Sequence, residues 1–235
     1  MKTLLSVFAW FGISGLSSEL FGYLLHRLMH SGAIRFLSQN HMKHHLLLYG
    51  PLDPQRPDAD YKDATAGEAS IGNVGLEWVV PAALILGGVS LVLSLLHVTI
   101  LHQLIFVAGS LGWSFFLFSY LHDRMHVTGF WMERNKWFRT WFLSARRAHD
   151  IHHWALNQDG LMDRNFGIAF FGFDRICGTY TQERPEFNHE GYQAAKKRFS
   201  GLVSGSQTDG LYAEMKNPPH PRGGSLVQES LYFWN

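Results

Sequence analysis

The chain has 235 residues, a formal net charge of +1 and one cysteine, Cys177. That length supports one domain with a sizeable core. A lone cysteine excludes an internal disulfide, Cys-based zinc sites, iron–sulfur clusters and c-type haem attachment, and the scattered Lys and Arg residues form no nucleic-acid footprint. Two features stand out: 14 histidines, and an aromatic content of 14% against only 17% charged residues. Few charges and long apolar runs read as a membrane protein, although the mean hydropathy is near zero.

Thr3–Leu25 is the first apolar run, interrupted by one acid, Glu19. It has roughly the 20 residues that a helix needs to cross a bilayer core. The Lys, apolar run and small residues of this segment also resemble a signal peptide. Retention is expected, because the first histidine box begins at His26 and needs the helix to hold it. Residues 50–75, with Pro51, Pro54, Pro57 and several Asp, read as a polar loop. From Trp78 to Leu121 there is no Asp, Glu, Lys or Arg in 44 residues, about twice one crossing. This predicts a helical hairpin, Trp78–Leu96 and Ile100–Leu121, turning near His97–Thr99. Residues 130–143 mix Trp and Phe with bases, which suits a helix lying in the membrane interface. Residues 201–235 read as a loose tail, Gly-, Ser- and Pro-rich over 201–224.

Lys2 is the only basic residue before the first span, whereas Arg27, Arg35, Lys43, Arg56 and Lys62 follow it. Arg124, Arg134, Lys136, Arg139, Arg146 and Arg147 follow the third. The positive-inside bias therefore predicts three crossings with residues 26–75 and everything after 122 in the cytoplasm.

Four boxes hold ten of the fourteen histidines: His26 and His30; His41, His44 and His45; His122 and His126; His149, His152 and His153. Residues three or four apart share a helix face, so each box points two imidazoles at a common spot, with a third one step round in HxxHH. The order HxxxH then HxxHH occurs twice, so each half of the chain offers five ligands. Ten imidazoles are too many for one metal and suit two, each with open room for oxygen. Imidazole suits iron, zinc, copper and nickel alike. No box contains the Glu of the HExxH zinc hydrolases. Asp123, Asp150, Asp163 and Asp174 are candidates to accept ring N–H groups, Asp174 and Arg175 alternatively forming a structural pair. His97, His102, His189 and His220 are not expected to be ligands.

The boxes, in this order and at these membrane exits, resemble the fatty-acid hydroxylase/sterol desaturase superfamily. A second stretch is similar to that family's NFG…WDRLFGTY segment: Asn165-Phe166-Gly167, then Phe173-Asp174-Arg175-Ile176-Cys177-Gly178-Thr179-Tyr180. Phe173 stands where the family often has Trp, Ile176-Cys177 replaces Leu-Phe, and three crossings are counted where many members have four. The likeness covers roughly residues 20–185. It implies an all-α integral-membrane bundle with a cytoplasmic helical cap, residues 1–200 forming one hydroxylase/desaturase-like domain. It also implies two iron ions, with zinc as a possible substitute, and O₂ as co-substrate for hydroxylation or desaturation of a lipid or other hydrophobic substrate. The chain has no GxGxxG loop after a strand and no haem motif, so electrons are expected from a separate donor protein. The competing expectation is a zinc-dependent membrane hydrolase or a noncatalytic metal-binding membrane protein.

Overall fold

The computed structural model describes residues 2–61, 70–71 and 74–200. The expected tail at 201–235, and His220 within it, lie outside the described residues, as do positions 62–69. Among those described, helix dominates: α1 (Lys2–Ser31), α2 (Arg35–Lys43), α3 (Leu76–Leu95), α4 (Ile100–Ser114), α5 (His122–Met125), α6 (Trp131–Arg134), α7 (Arg139–Trp154), α8 (Gly172–Cys177) and α9 (His189–Arg198). Extended structure is slight. Arg56–Pro57 pairs in parallel with Val127–Thr128, and Ser70–Ile71 pairs antiparallel with Val74–Gly75.

Three helical segments are long and apolar enough to cross a membrane: Leu4–Ser31, Trp78–Leu95 and Ile100–Met125. Their number matches the sequence reading, but two run further than Leu25 and Leu121. Nothing interrupts the backbone of α1 before Gly32, whose φ of 70° ends it. The first histidine box therefore sits on the last two turns of the long helix itself. The hairpin turn falls where expected, at His97, which takes the left-handed φ of 55° more usual for glycine.

Long stretches of α1, α3 and α4 turn apolar side chains outward, among them Leu5, Leu16, Leu84, Leu95, Ile100 and Leu104. Where α1 meets α4 the helices approach closely, because small residues remove the side-chain layer between them. A Cβ on Gly22 would overlap the Phe118 ring, and one on Gly15 would lie 2.8 Å from the Trp113 indole. By contrast, nothing lies within 4 Å of a Cβ built on Gly12.

Two π-helical segments punctuate this frame, at His44–Leu48 directly after α2 and at Phe115–Leu121 between α4 and α5. In each, the backbone bond spans one residue more than in an α-helix, so the residues that follow are re-aimed around the axis. Tyr49 N–H donates to His44 O at 2.9 Å, and His122 N–H donates to Leu117 O. One segment carries His44 and His45, and the other ends at His122.

The shorter helices gather at the histidine end of the long ones. Leu117, Leu121, Met125, Phe130, Phe142, Ala145, Ala148 and Ile168 form one buried core there. Residues 130–143, expected as one interfacial helix, are instead split. α6 ends at Arg134, a turn through Asn135 follows, and α7 begins at Arg139. The Asn135 side chain makes this turn by accepting from Trp137 N–H at 3.0 Å. Arg146, expected as one of the charges that orient the chain, is buried as a clamp. Its guanidinium donates to Glu133 Oε1 at 2.8 Å, Arg124 O at 3.0 Å and Val127 O at 2.7 Å, and lies over Phe142. It thus joins α7 to α6 and to the segment that carries His126.

Gly22→Ala is expected to destabilise the protein by about 1–3 kcal/mol through overpacking against Phe118. Thermal unfolding in detergent should show a fall of several degrees for this variant and no fall for Gly12→Ala.

Candidate metal centre

The i,i+4 pairs of the two HxxHH boxes hold the centre's geometry. On a helix, residues i and i+4 are offset by about 40° on one side and i+3 by about 60° on the other. His41 and His45 therefore turn one way and His44 the other; His149 and His153 turn one way and His152 the other. Two buried groups result, His26, His30, His41, His45 and His152 in one and His44, His126, His149 and His153 in the second. Within each, one ring nitrogen from every residue lies within 4.8 Å of all the others.

This partition corrects the expectation of one five-histidine set from each half of the chain. His152, from the fourth box, completes the first group, and His44, from the second box, completes the second. The groups touch through His45 and His153, whose ring centroids are 4.0 Å apart. His122 is buried beside the second group, 4.8 Å from the His44 ring and 4.9 Å from the His149 ring, but does not join its nitrogens. His97 and His102 lie at the opposite end of the hairpin, where His102 bonds Ser6 and Thr99 and stacks on Trp10. His189 packs against Phe187 at the start of α9.

Burial, followed by neighbouring imidazoles, holds His41, His44, His45, His126, His149, His152 and His153 well below the usual histidine pKa. These rings are neutral at pH 7, as metal ligation requires. Backbone carbonyls then select the tautomer. Nδ1 donates to Phe166 O from His26, to Pro54 O from His126 at 2.6 Å, to Arg164 O from His152 at 2.6 Å and to Tyr49 O from His153 at 2.8 Å. A neutral ring that donates from Nδ1 keeps its lone pair on Nε2, which here faces the cluster.

The Nε2 atoms are crowded together. His149 Nε2 lies 3.1 Å from that of His126 and 3.2 Å from that of His153. Both partners present lone pairs, and the His149 nitrogen carries at most one proton, so at least one of these contacts sets lone pair against lone pair. His30 Nε2 is shared in the same way, at 3.0 Å from both His41 and His152, and His41 is 3.1 Å from His45. A cation at the centre of each group removes the conflict. With metal–nitrogen bonds of about 2.1 Å, ligands at right angles are about 3.0 Å apart and tetrahedral ligands about 3.4 Å. The observed contacts of 3.0–3.2 Å run from the right-angled spacing toward the tetrahedral one. Among the described residues, the nitrogens thus fit two metal ions.

Of the four aspartates that were candidates to orient these rings, Asp123 lies near a box histidine and the other three serve other groups. Asp150 accepts from Gln55 Nε2 at 2.6 Å, and burial pushes its carboxyl up to about 7. Asp163 faces Arg164 at the surface, and Asp123 is 3.7 Å from His122 Nδ1. Asp174 does not pair with Arg175, whose side chain donates to Phe170 O and lies over Tyr180. Instead it accepts at 2.7 Å from Phe166 N–H, Gly167 N–H and the Thr179 hydroxyl. A Cβ on Gly167 would come 2.7 Å from this carboxylate. Asn165, at a φ of 54°, donates to Ala148 O and Thr181 O and accepts from Thr181 N–H. The Asn-Phe-Gly turn and the Asp174–Thr179 segment are therefore one bracket, which presents Phe166 O to His26 and Arg164 O to His152. Sequence reasoning missed these carbonyls because any residue type supplies one. Tyr49, stacked on His126 at 4.1 Å and 13°, was missed too; one aromatic four residues after the second box gives no distinguishing signal.

No protein-family model matches the chain, and no characterised protein or solved structure is detectably similar to it.

Replacing Asp174 by Ala is expected to weaken metal retention by about 10–100-fold, the usual effect of losing groups that orient ligands. Competition with a chelator, read as metal per chain by elemental mass spectrometry, measures this. His97→Ala should behave as wild type in the same assay, whereas His45→Ala and His153→Ala should each lose metal.

Proposed function

We propose that the chain is a membrane-bound di-iron oxygenase of the fatty-acid hydroxylase/sterol desaturase type, which oxidises a lipid with O₂ and externally supplied electrons. The observation that carries this reading is the pair of buried, adjoining all-imidazole groups, five histidines in one and four in the other. Five imidazoles in the first group exceed the four ligands of a closed zinc site, and the usual HExxH hydrolase pattern is missing from the sequence. Iron bound by these residues would supply the reduction of O₂ and the removal of hydrogen from an unactivated C–H bond.

The surroundings favour a lipid substrate. An apolar cavity of about 500 Å³ lies between α1, α3 and α4, within the usual range for small-molecule sites. Its histidine end is closed by Leu25, Trp78 and Phe118. The Trp78 ring is 6.4 Å from His26, 6.1 Å from His41 and 5.5 Å from Phe118, all centroid to centroid. The cavity thus abuts the first histidine group rather than the second. An apolar chain entering from the bilayer would end its path against Trp78, whose ring separates the cavity from His26 and His41. The work of the protein is orientation and exclusion of water: the carbonyl bonds fix the rings, and Trp78 and Phe118 keep the approach dry.

The outward-facing leucines of α1, α3 and α4 suit lipid surroundings, and the surplus of basic residues after α1 and α4 favours a cytoplasmic histidine end. A cytoplasmic centre is accessible to a soluble or membrane-bound electron donor. Hydroxylation is favoured over desaturation. Both begin by removing one hydrogen atom, and they part on whether oxygen returns to the carbon or a second hydrogen leaves.

Iron-loaded protein, reconstituted with a competent reductase, should oxidise lipid only when both reductant and isotopically labelled oxygen gas are present. One labelled oxygen atom in the product identifies a hydroxylase. A new double bond without label, while oxygen is consumed, identifies a desaturase. Product formed without oxygen or reductant would overturn both and favour hydrolysis.

A further inference from the structure

The two histidine groups take their Nδ1 acceptors from different parts of the chain. His26 and His152, in the first group, donate to Phe166 O and Arg164 O of the Asn165 bracket. His126 and His153, in the second, donate to Pro54 O and Tyr49 O. The segment over residues 49–57 carries the second pair of acceptors and curls round His126. Tyr49 stacks on that ring, and Arg56 N–H donates to His126 O at 2.9 Å. Pro54 O and the Gln55 Cα belong to one planar peptide unit, so a bond that anchors Gln55 also sets this acceptor. Gln55 has such a bond: its Nε2 donates to Asp150 Oδ2 at 2.6 Å. Asp150 and His153 stand three residues apart on α7 and share a face. That face therefore meets the segment twice, at Gln55 and at Tyr49 O. The second carboxyl oxygen, Asp150 Oδ1, is buried without a hydrogen-bond partner among the described residues. Such burial costs free energy that two packed apolar side chains would not incur. What the hydrogen bond adds is direction.

We infer that Gln55 and Asp150 are positioning residues for the second histidine group: their bond sets the peptide plane whose carbonyl orients His126. The inference rests on the two-metal reading and gives each group an outer bracket of its own. Asp174 closes one, through the N–H groups of Phe166 and Gly167, and Asp150 closes the other, through the Gln55 side chain. In both, a carboxyl group holds a main-chain carbonyl in place, and the carbonyl holds an imidazole.

The test reads the imidazole protons without turnover. Purified full-length protein in detergent, loaded with zinc and labelled with the heavy nitrogen isotope in its histidine rings, should show slowly exchanging ring N–H signals in magnetic resonance spectra. Gln55→Ala should speed solvent exchange of a signal that Asp174→Ala leaves in place, and Asp174→Ala should speed others that Gln55→Ala leaves in place. Gln55→Ala should also weaken zinc retention against a chelator by about 10-fold. The exchanged pair, Gln55→Glu with Asp150→Asn, keeps one amide donor and one carboxylate acceptor in swapped places, and should restore both signal and retention. The inference is overturned if Gln55→Ala and Asp174→Ala speed the same signals, as general loosening would. It is equally overturned if Gln55→Ala changes neither readout, or if the exchanged pair fails to restore them. Zinc uptake by the wild type is measured first. Fewer than two ions per chain would remove the two-metal reading itself, a failure distinct from any seen in the variants.

Discussion

Nitrogen lone pairs brought within about 3 Å of one another in a dry interior repel unless a cation lies between them. That constraint organises the rest of the histidine end. Neutral imidazoles tolerate burial far better than charged ones, and burial together with mutual proximity keeps His149, His152 and their neighbours neutral. Each lone pair must then be aimed inward, which needs an acceptor for the other ring nitrogen. The chain meets this need with main-chain carbonyls of Tyr49, Pro54, Arg164 and Phe166. None lies within a regular α-helix, where its carbonyl would be taken by the backbone four residues on. Irregular segments near the centre are thus a requirement of ligation. The first π segment, the parallel pairing at Arg56 and the Asn165 turn shape or adjoin them.

The boxes were legible because chance does not repeat their spacing four times, and the three long apolar helices were legible because charge is missing from runs of about 20 residues. What the sequence left hidden is physical in kind. The division of ligands depends on the crossing of α2 and α7, a tertiary fact that made His44 and His152 change sides. His122 was indistinguishable from His126 by spacing, yet it lies beside the second group because the π segment before it sets its direction. The break at Asn135 was masked by a run of Trp, Phe and Arg that suits an interfacial helix equally well. Arg146 read as a surface charge because its acceptors are two carbonyls and a glutamate thirteen residues away. The Asp174 segment was recognised by its pattern, but its work became clear only with Phe166 and Gly167 folded onto the carboxylate.

The long apolar helices and the histidine end are mechanically one object. α1 carries Gly22, pressed against Phe118, and one turn later His26; four residues beyond is His30. α4 and its π continuation carry Phe118 and then His122. A shift along this seam moves the cavity wall and the first histidine box together. Close packing through Gly15 and Gly22 therefore serves ligand placement as well as stability.

Interleaving carries the argument one step further. Had each half of the chain built its own site, either could form while the other remained empty. Here α2 with its π extension supplies His41 and His45 to one group and His44 to the other, while α7 supplies His152 to the first and His149 and His153 to the second. Seating a cation in either group fixes the rotation of both helices, and so pre-arranges the ligands of the neighbouring group. The 4.0 Å contact between His45 and His153 couples them further, because neither ring can turn without displacing the other. Two ions held in this way are bound as a unit, and the all-nitrogen centre that results is shared by both halves of the chain.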